Sequence, residues 1–269
     1  MNASIFFNLY AISIIFAPIL FLIDFTKRRF NNKKDFFISF IMPAYNEEQH
    51  IENVVKGVKN VSLIDTVYVV DDGSNDKTVE LAQKAGAVVI KHETNMGVGA
   101  GIRDGFIKAK ADGMEIIAVM GGDDQDPPEQ IPRVVEPIIS GDYDLVQGSR
   151  WLKGGEVENI PLFRRITTRA YGIFIRLFTG FPFTDGTNGF RAVRTSFLDK
   201  VDLNQEWLNH YELEPYLLCQ AVRINKSRVK EVPVTKRYFK EKGYTKMVPL
   251  RDWWRISKPV IYLRLGIKK

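Results

Sequence analysis

Short apolar runs alternating with amphipathic stretches of helical period constrain this chain more than any other feature of its sequence. The runs at 36–42, 66–70, 87–90, 115–120 and 144–147 read as strands buried on both faces. Between them, 47–59, a segment ending at Lys84, 97–111 and 127–139 read as helices. Short connections between alternating types predict an α/β domain, with a mostly parallel central sheet flanked by helices. Ligands of such sheets sit beyond the carboxyl ends of the strands, where this chain concentrates its polar residues. Ser74 or Asn75 is placed to cap the helix ending at Lys84, and Gly86 to stop it. Past residue 150 the texture changes. A helix is expected over 162–178 and stops at Gly180; a Gly-rich turn over 184–189, a helix over 207–221 and a strand over 229–234 follow.

The two ends of the chain differ from its middle. No charge occurs from Ala3 to Ile23, and Lys27, Arg28, Arg29, Lys33 and Lys34 follow. About 20 apolar residues cross a bilayer as a helix. Residues 1–26 are therefore expected to form a single-pass anchor, and the basic flank places the rest of the chain in the cytoplasm. The leader lacks the basic start of a cleaved signal peptide. At the other end, residues 247–269 mix Trp253, Trp254, Ile261, Tyr262 and Leu263 with Arg251, Arg255, Lys258 and Arg264. That mixture suits an amphipathic helix in a membrane interface, or a basic helix packed on the domain. The formal charge of +6 and pI near 9.2 point to an anionic partner. No nucleic-acid-binding module is recognisable, so nucleic acid is set aside. The single cysteine, Cys219, lies in an apolar run and reads as a packing residue in a reducing compartment.

Three clusters carry chemistry. Asp71 and Asp72 end a strand beside Gly73, where adjacent carboxylates need a cation or hydrogen-bond donors. Gly121-Gly122-Asp123-Asp124-Gln125-Asp126 gathers three carboxylates and an amide at another strand end, oxygen donors of the kind Mg²⁺ and Mn²⁺ take together with substrate phosphates. Asp124 or Asp126 could instead cap the next helix. Gly148-Ser149-Arg150, with Arg164, Arg165 and Arg169, supplies basic groups suited to phosphate. The glycines of Asn95-Met96-Gly97-Val98-Gly99-Ala100-Gly101 miss the third dinucleotide-fingerprint position, which falls on Ile102, and read as close helix packing with some help in binding phosphate.

In this order the residues resemble the family 2 glycosyltransferases of GT-A fold, particularly the dolichyl- and polyprenyl-phosphate sugar synthases. The likeness runs through Met42-Pro43-Ala44-Tyr45-Asn46-Glu47, Val69-Val70-Asp71-Asp72-Gly73-Ser74, Asn95-Met96-Gly97, Asp123-x-Gln125 with Pro127-Pro128-Glu129, and Gly148-Ser149-Arg150. It ends on Gly189-Phe190-Arg191-Ala192 and Glu231-Val232-Pro233-Val234. The resemblance implies a GT-A domain over 36–246 that moves a hexose from a UDP- or GDP-sugar, with inversion, to a polyprenyl or dolichyl phosphate. It implies that Pro43, Tyr45, Glu47, Asp71, Asp72, Gly97, Gly122 and Asp123 hold the nucleotide-sugar. Asp123 and Gln125, with Asp124 nearby, would hold Mg²⁺ or Mn²⁺. The first acid of the family's Asp-x-Asp corresponds here to Gly121, which removes one ligand, and Asp124 and Asp126 are the extra acids placed to compensate. Ser149, Arg150, Arg164 or Arg165, and Arg169 would meet the acceptor phosphate, and Asp185 the sugar. Lys240 or Lys246 would clamp phosphate from a flap. An ionised lipid phosphate needs no general base; a sugar-hydroxyl acceptor does, and Glu212 and Glu214 are the candidates. A third reading is a membrane-tethered nucleotide-sugar binder without catalysis, suggested by Gly121.

Overall fold

The computed structural model describes residues 36–239, 247–248 and 250–268. The expected anchor over 1–26, the basic residues after it, and Lys240 and Lys246 lie outside the described residues. Among the described residues no helix is long and apolar enough to cross a membrane.

Strand and helix alternate as the apolar pattern predicts. β1 (Ile38–Ala44), α1 (Ile51–Lys59), β2 (Thr66–Asp71), α2 (Thr78–Lys84), β3 (Val88–Lys91), α3 (Val98–Ala111), β4 (Ile116–Val119), α4 (Ile131–Ser140) and β5 (Leu145–Ser149) form the first part. β6 (Glu156–Glu158), α5 (Leu162–Thr179), β7 (Arg191–Arg194), α6 (Thr195–Leu198), α7 (Leu213–Asn225), β8 (Val229–Pro233), β9 (Thr235–Arg237) and α8 (Arg251–Leu265) complete it. Seven strands make one sheet in the order β3-β2-β1-β4-β7-β5-β8. Only β7 runs antiparallel to its neighbours. β2 and β4 flank β1, so the chain winds outward in both directions from it. A crevice opens at the carboxyl ends of such strands, because the connections leave to opposite sides. β6 and β9 form a separate parallel pair.

The strand interiors are apolar on both faces, and Phe40, Ile41, Met42, Ile116, Ile117, Ala118, Leu145 and Val146 are fully buried. Burying a large side chain of this kind contributes about 1.5–3 kcal/mol, so the sheet is held by its own core before any polar contact is counted. α7 adds Leu213, Tyr216, Leu217 and Leu218 to that core.

Several local expectations shift. α1 starts at Ile51 and not at 47, because Asn46 takes a left-handed φ of 53° and residues 47–50 turn first, with His50 N–H donating to Glu47 O. Neither Ser74 nor Asn75 caps α2. The Asp76 carboxylate receives the Thr78 N–H, while the Ser74 hydroxyl accepts from Asn46 N–H. The helix expected over 207–221 is split into a 3₁₀ turn at Glu206–Leu208 and α7, with residues 209–212 turning between them. In the 247–269 segment, Asp252, Ile256 and Val260 of α8 are buried.

Candidate active site

A cleft of about 1190 Å³ opens at the carboxyl ends of β1, β2 and β4. Its floor is the strand-end peptide Pro43 to Glu47 together with Gly121, Gly122 and Asp123. Of the residues singled out in the sequence, Pro43, Tyr45, Glu47, Asp72, Gly97, Gly122, Asp123, Gln125, Arg150, Arg164 and Glu214 line it. Asp71, Asp124, Ser149, Arg165, Arg169, Asp185 and Glu212 do not.

The paired aspartates have different surroundings. Asp71 is fully buried; one oxygen accepts the Ser74 N–H at 3.2 Å and the other has no hydrogen-bond partner. Asp72 reaches the cleft but is heavily engaged. Its Oδ1 accepts the Met96 N–H at 2.8 Å and lies 2.8 Å from His92 Nδ1, and its Oδ2 accepts the Gly97 N–H at 2.8 Å. His92 Nε2 in turn lies 3.1 Å from Asp104 on α3. Asp72 therefore shapes the turn into α3. Gly97 is required there: its φ is 104°, and a Cβ would lie 2.2 Å from His210 Nδ1. Two residues on, a Cβ at Gly99 would meet Leu208 O at 2.1 Å, so this glycine packs α3 against the 208–210 loop and not against the sheet. Gly105 meets Ile41 of β1.

On the far side Arg150, 2% exposed, is clamped. Its Nε and Nη2 donate to the two Asp185 oxygens at 2.6 and 2.7 Å, Nη2 also reaches Thr187, and Nη1 donates to the Tyr238 hydroxyl. Four of the five guanidinium N–H groups are thus committed. Burial opposes the charge of Arg150, but Asp185 outweighs it and holds the group firmly protonated. Burial likewise pushes Asp185 up, and Arg150 more than reverses this, leaving its carboxyl below the usual range. Asp185, fully buried, is therefore a clamp on Arg150. Glu231, unforeseen in this role, anchors the same loop by accepting from Thr184 N–H, Thr184 hydroxyl and Asp185 N–H.

Arg164 faces the cleft with its guanidinium 5.0 Å from the Tyr238 ring centre, while Arg169 stacks over Trp151 at 4.5 Å and Arg165 is exposed away from the cleft. The shared face of Arg165 and Arg169 thus carries no cleft contact. Glu214 lines the cleft but accepts from the buried Arg191 at 3.1 Å. Glu212 is 3% exposed and bound to Lys258 of α8 at 2.9 Å. Cys219 is buried, and burial pushes its thiol up to about 12, as a packing residue requires.

The acids after β4 also divide. Asp123 faces the cleft and accepts the Gln125 N–H at 3.2 Å. Asp124, at φ 62°, does not line it. Asp126 caps no helix; it is buried against Lys236 of β9 at 2.6 Å. No cluster of three His, Cys, Asp or Glu side chains able to hold a metal occurs among the described residues. One cleft-facing carboxylate with the neighbouring Gln125 amide still fits a cation that arrives on a diphosphate, since Mg²⁺ commonly uses one or two carboxylates plus substrate phosphates. Sequence reasoning missed Lys236, Tyr238 and His92. Each acts through a partner remote in sequence, and no local motif marks them.

Comparison with known proteins supplies the frame for this geometry. The glycosyl transferase family 2 profile matches residues 39–202. A UDP-N-acetylglucosamine–dolichyl-phosphate N-acetylglucosaminyltransferase of Methanococcus voltae is 31% identical over 252 residues, covering 86% of this chain and 98% of that one. An undecaprenyl-phosphate mannosyltransferase of Micrococcus luteus is 31% identical over 200 residues, 72% of this chain and 81% of the relative. The fold is shared with glucosyl-3-phosphoglycerate synthase of Mycobacterium tuberculosis, crystallised with Mn²⁺, UDP and glucosyl-3-phosphoglycerate: TM-score 0.66 and 22% identity, over 89% of this chain and 83% of that one. With a GT-A sheet, a cleft at its carboxyl edge and these relatives, the chain belongs to glycosyl transferase family 2 and is a glycosyltransferase.

Proposed function

We propose that this glycosyltransferase moves a hexose from a UDP- or GDP-sugar to a polyprenyl or dolichyl phosphate at the cytoplasmic face of a membrane, with inversion at the anomeric carbon. One observation carries the choice of acceptor. Of the two carboxylates singled out in the sequence as a base toward a hydroxyl, Glu212 lies off the cleft and Glu214 is engaged by Arg191. An ionised phosphate acceptor needs neither. The relatives named for dolichyl and undecaprenyl phosphate support the same reading.

In this mechanism the nucleoside lies over Pro43, Tyr45 and Glu47, and the diphosphate over Gly122 and Asp123. Asp123 and the Gln125 amide would hold Mg²⁺ or Mn²⁺, which when bound supplies positive charge to the leaving diphosphate. Arg164 orients the acceptor phosphate. Arg150, largely spent on Asp185 and Tyr238, positions the wall from which Arg164 is stacked. An acceptor oxygen attacks the anomeric carbon as its bond to the diphosphate breaks, and no proton changes hands.

The membrane setting draws support from α5. Leu162, Ile166, Ile173 and Leu177, spaced along one helical face, are 60% to 75% exposed. Arg165, Arg169 and Arg176 form an exposed row beside them. An apolar stripe of this length on a soluble surface marks an interaction site, and a basic flank suits anionic lipid headgroups. Phe163 and Arg164 of the same helix line the cleft, which brings the stripe to its mouth.

The test is transfer of labelled sugar from UDP- and GDP-sugars to a polyprenyl phosphate and, separately, to a lipid-linked sugar. Glu214→Gln should retain transfer to the phosphate. Its abolition in a well-folded variant, or transfer to the hydroxyl acceptor alone, would overturn the phosphate assignment.

A further inference from the structure

Lys236 is a partly buried cation for which the reaction outlined above has no use. It sits in β9, which is sewn to the loop after β4 at two points: Arg237 N–H donates to Gln125 O at 2.8 Å, and Thr235 N–H donates to Gln130 Oε1 at 2.7 Å. Between these points the Lys236 side chain reaches into the loop. It pairs with Asp126 at 2.6 Å and still lines the cleft with Asp123 and Gln125. A lysine carries three N–H donors, and Asp126 uses one, so the ammonium can serve a second anion.

The charge balance gives this placement its meaning. With an acid at 121, the pocket would set three carboxylates, at 121, 123 and 126, against Lys236 and Arg164. Glycine at 121 leaves Asp123 and Asp126, one carboxylate fewer, beside Lys236 and Arg164. A diphosphate then meets less negative charge at this point, and a fixed ammonium stands beside the carboxylate that would hold a cation. Burial disfavours the charge on Lys236, yet Asp126, then Asp123, keep it protonated.

We propose that Lys236, held in place by Asp126, binds the donor diphosphate directly and takes over charge that the missing acid at 121 would have recruited as a tightly held divalent cation. The proposal rests on the donor-site reading given above. Its consequence is that nucleoside diphosphate binding depends less on metal in this chain than in a site with both acids.

Removing Lys236 alone leaves Asp126 buried without a counter-charge, a change that can unfold the protein. The experiment therefore uses Lys236→Arg, which keeps the charge, and the double variant Lys236→Met with Asp126→Asn, which leaves the net charge unchanged. UDP and GDP are titrated into the full-length protein by calorimetry, in EDTA and in saturating Mn²⁺, with thermal melts confirming the fold. The wild type should bind one nucleotide in EDTA. The double variant should bind it roughly 10- to 100-fold more weakly there, the loss expected for one charge-assisted contact, and should lose much less in Mn²⁺. Lys236→Arg should stay near wild type in both. The inference is overturned by an equal loss in both conditions, by no loss, or by a wild type that binds only with metal. A wild type that binds neither nucleotide under either condition would instead remove the donor-site reading itself.

Discussion

Asp185→Asn isolates the clamp on Arg150. In the wild type Arg150 is 2% exposed and Asp185 fully buried, joined by bonds of 2.6 and 2.7 Å, with the Arg150 backbone N–H donating to Asp185 at 3.1 Å. Asparagine keeps the shape and one acceptor but leaves the guanidinium charge without a partner. Breaking a buried pair on one side costs about 3–5 kcal/mol. At about 2–4 °C per kcal/mol for a chain of this size, the melting temperature should fall by roughly 6–20 °C. The retained carbonyl oxygen puts the expectation in the lower half of that range. Thermal melts at pH 7, with a cycle of Asp185→Leu, Arg150→Met and the double variant, measure it. The double variant should be less destabilised than the sum of the single ones. The folded carboxyl of Asp185 lies below its unfolded value, so its stabilisation is present above the ordinary carboxylate range and fades as pH falls through the folded value. Wild type and Asp185→Asn should accordingly converge in acid. A melt unchanged in Asp185→Asn, with only the Michaelis constant for the sugar donor altered, would refute the clamp and favour a direct sugar contact.

Two further outcomes are expected. Burial, opposed by donors from Asp185 and Thr184, pushes Glu231 up from 4.5 to about 7, so between those values the unfolded chain has released a proton that the folded one retains. Stability should therefore fall as pH rises through that window, and Glu231→Gln should flatten the dependence in melts taken from pH 5 to 8; an unchanged slope would assign it to another group. On α5, Ile166→Glu combined with Ile173→Glu should leave the melting temperature nearly unchanged, because both side chains are exposed. Transfer to a polyprenyl phosphate embedded in anionic vesicles should drop by at least about 10-fold, since burying even one such side chain is worth about 1.5–3 kcal/mol. Transfer to a short, water-soluble acceptor phosphate should persist; equal loss on both acceptors would mean the stripe has no role at the membrane.

Much of the architecture was legible because it is encoded locally. Apolar runs ending in Asp-Asp-Gly or Gly-Gly-Asp announce strands and their polar tips from a few adjacent residues, and β2 and β4 lie where those runs predict. The helix boundaries slipped where a single backbone conformation decided them, as at Asn46, or where a loop had to turn under a glycine, as at 209–212 against Gly99. The site was only half legible for the same reason. Asp72 and Asp123 stand at strand tips, and strand tips are what periodicity locates.

What the sequence determined by itself is the α/β class, the family, and the strand ends at which the cleft would form, since periodicity and turn chemistry act over a few residues. Only the folded chain decided which charges face that cleft and which are spent inside the protein. Asp185 answers Arg150 across 35 positions, and Lys236 answers Asp126 across 110. Whether a carboxylate binds a ligand or neutralises a neighbour depends on burial and on the partner that packing brings within about 3 Å, and neither is written in the spacing of residues along a strand.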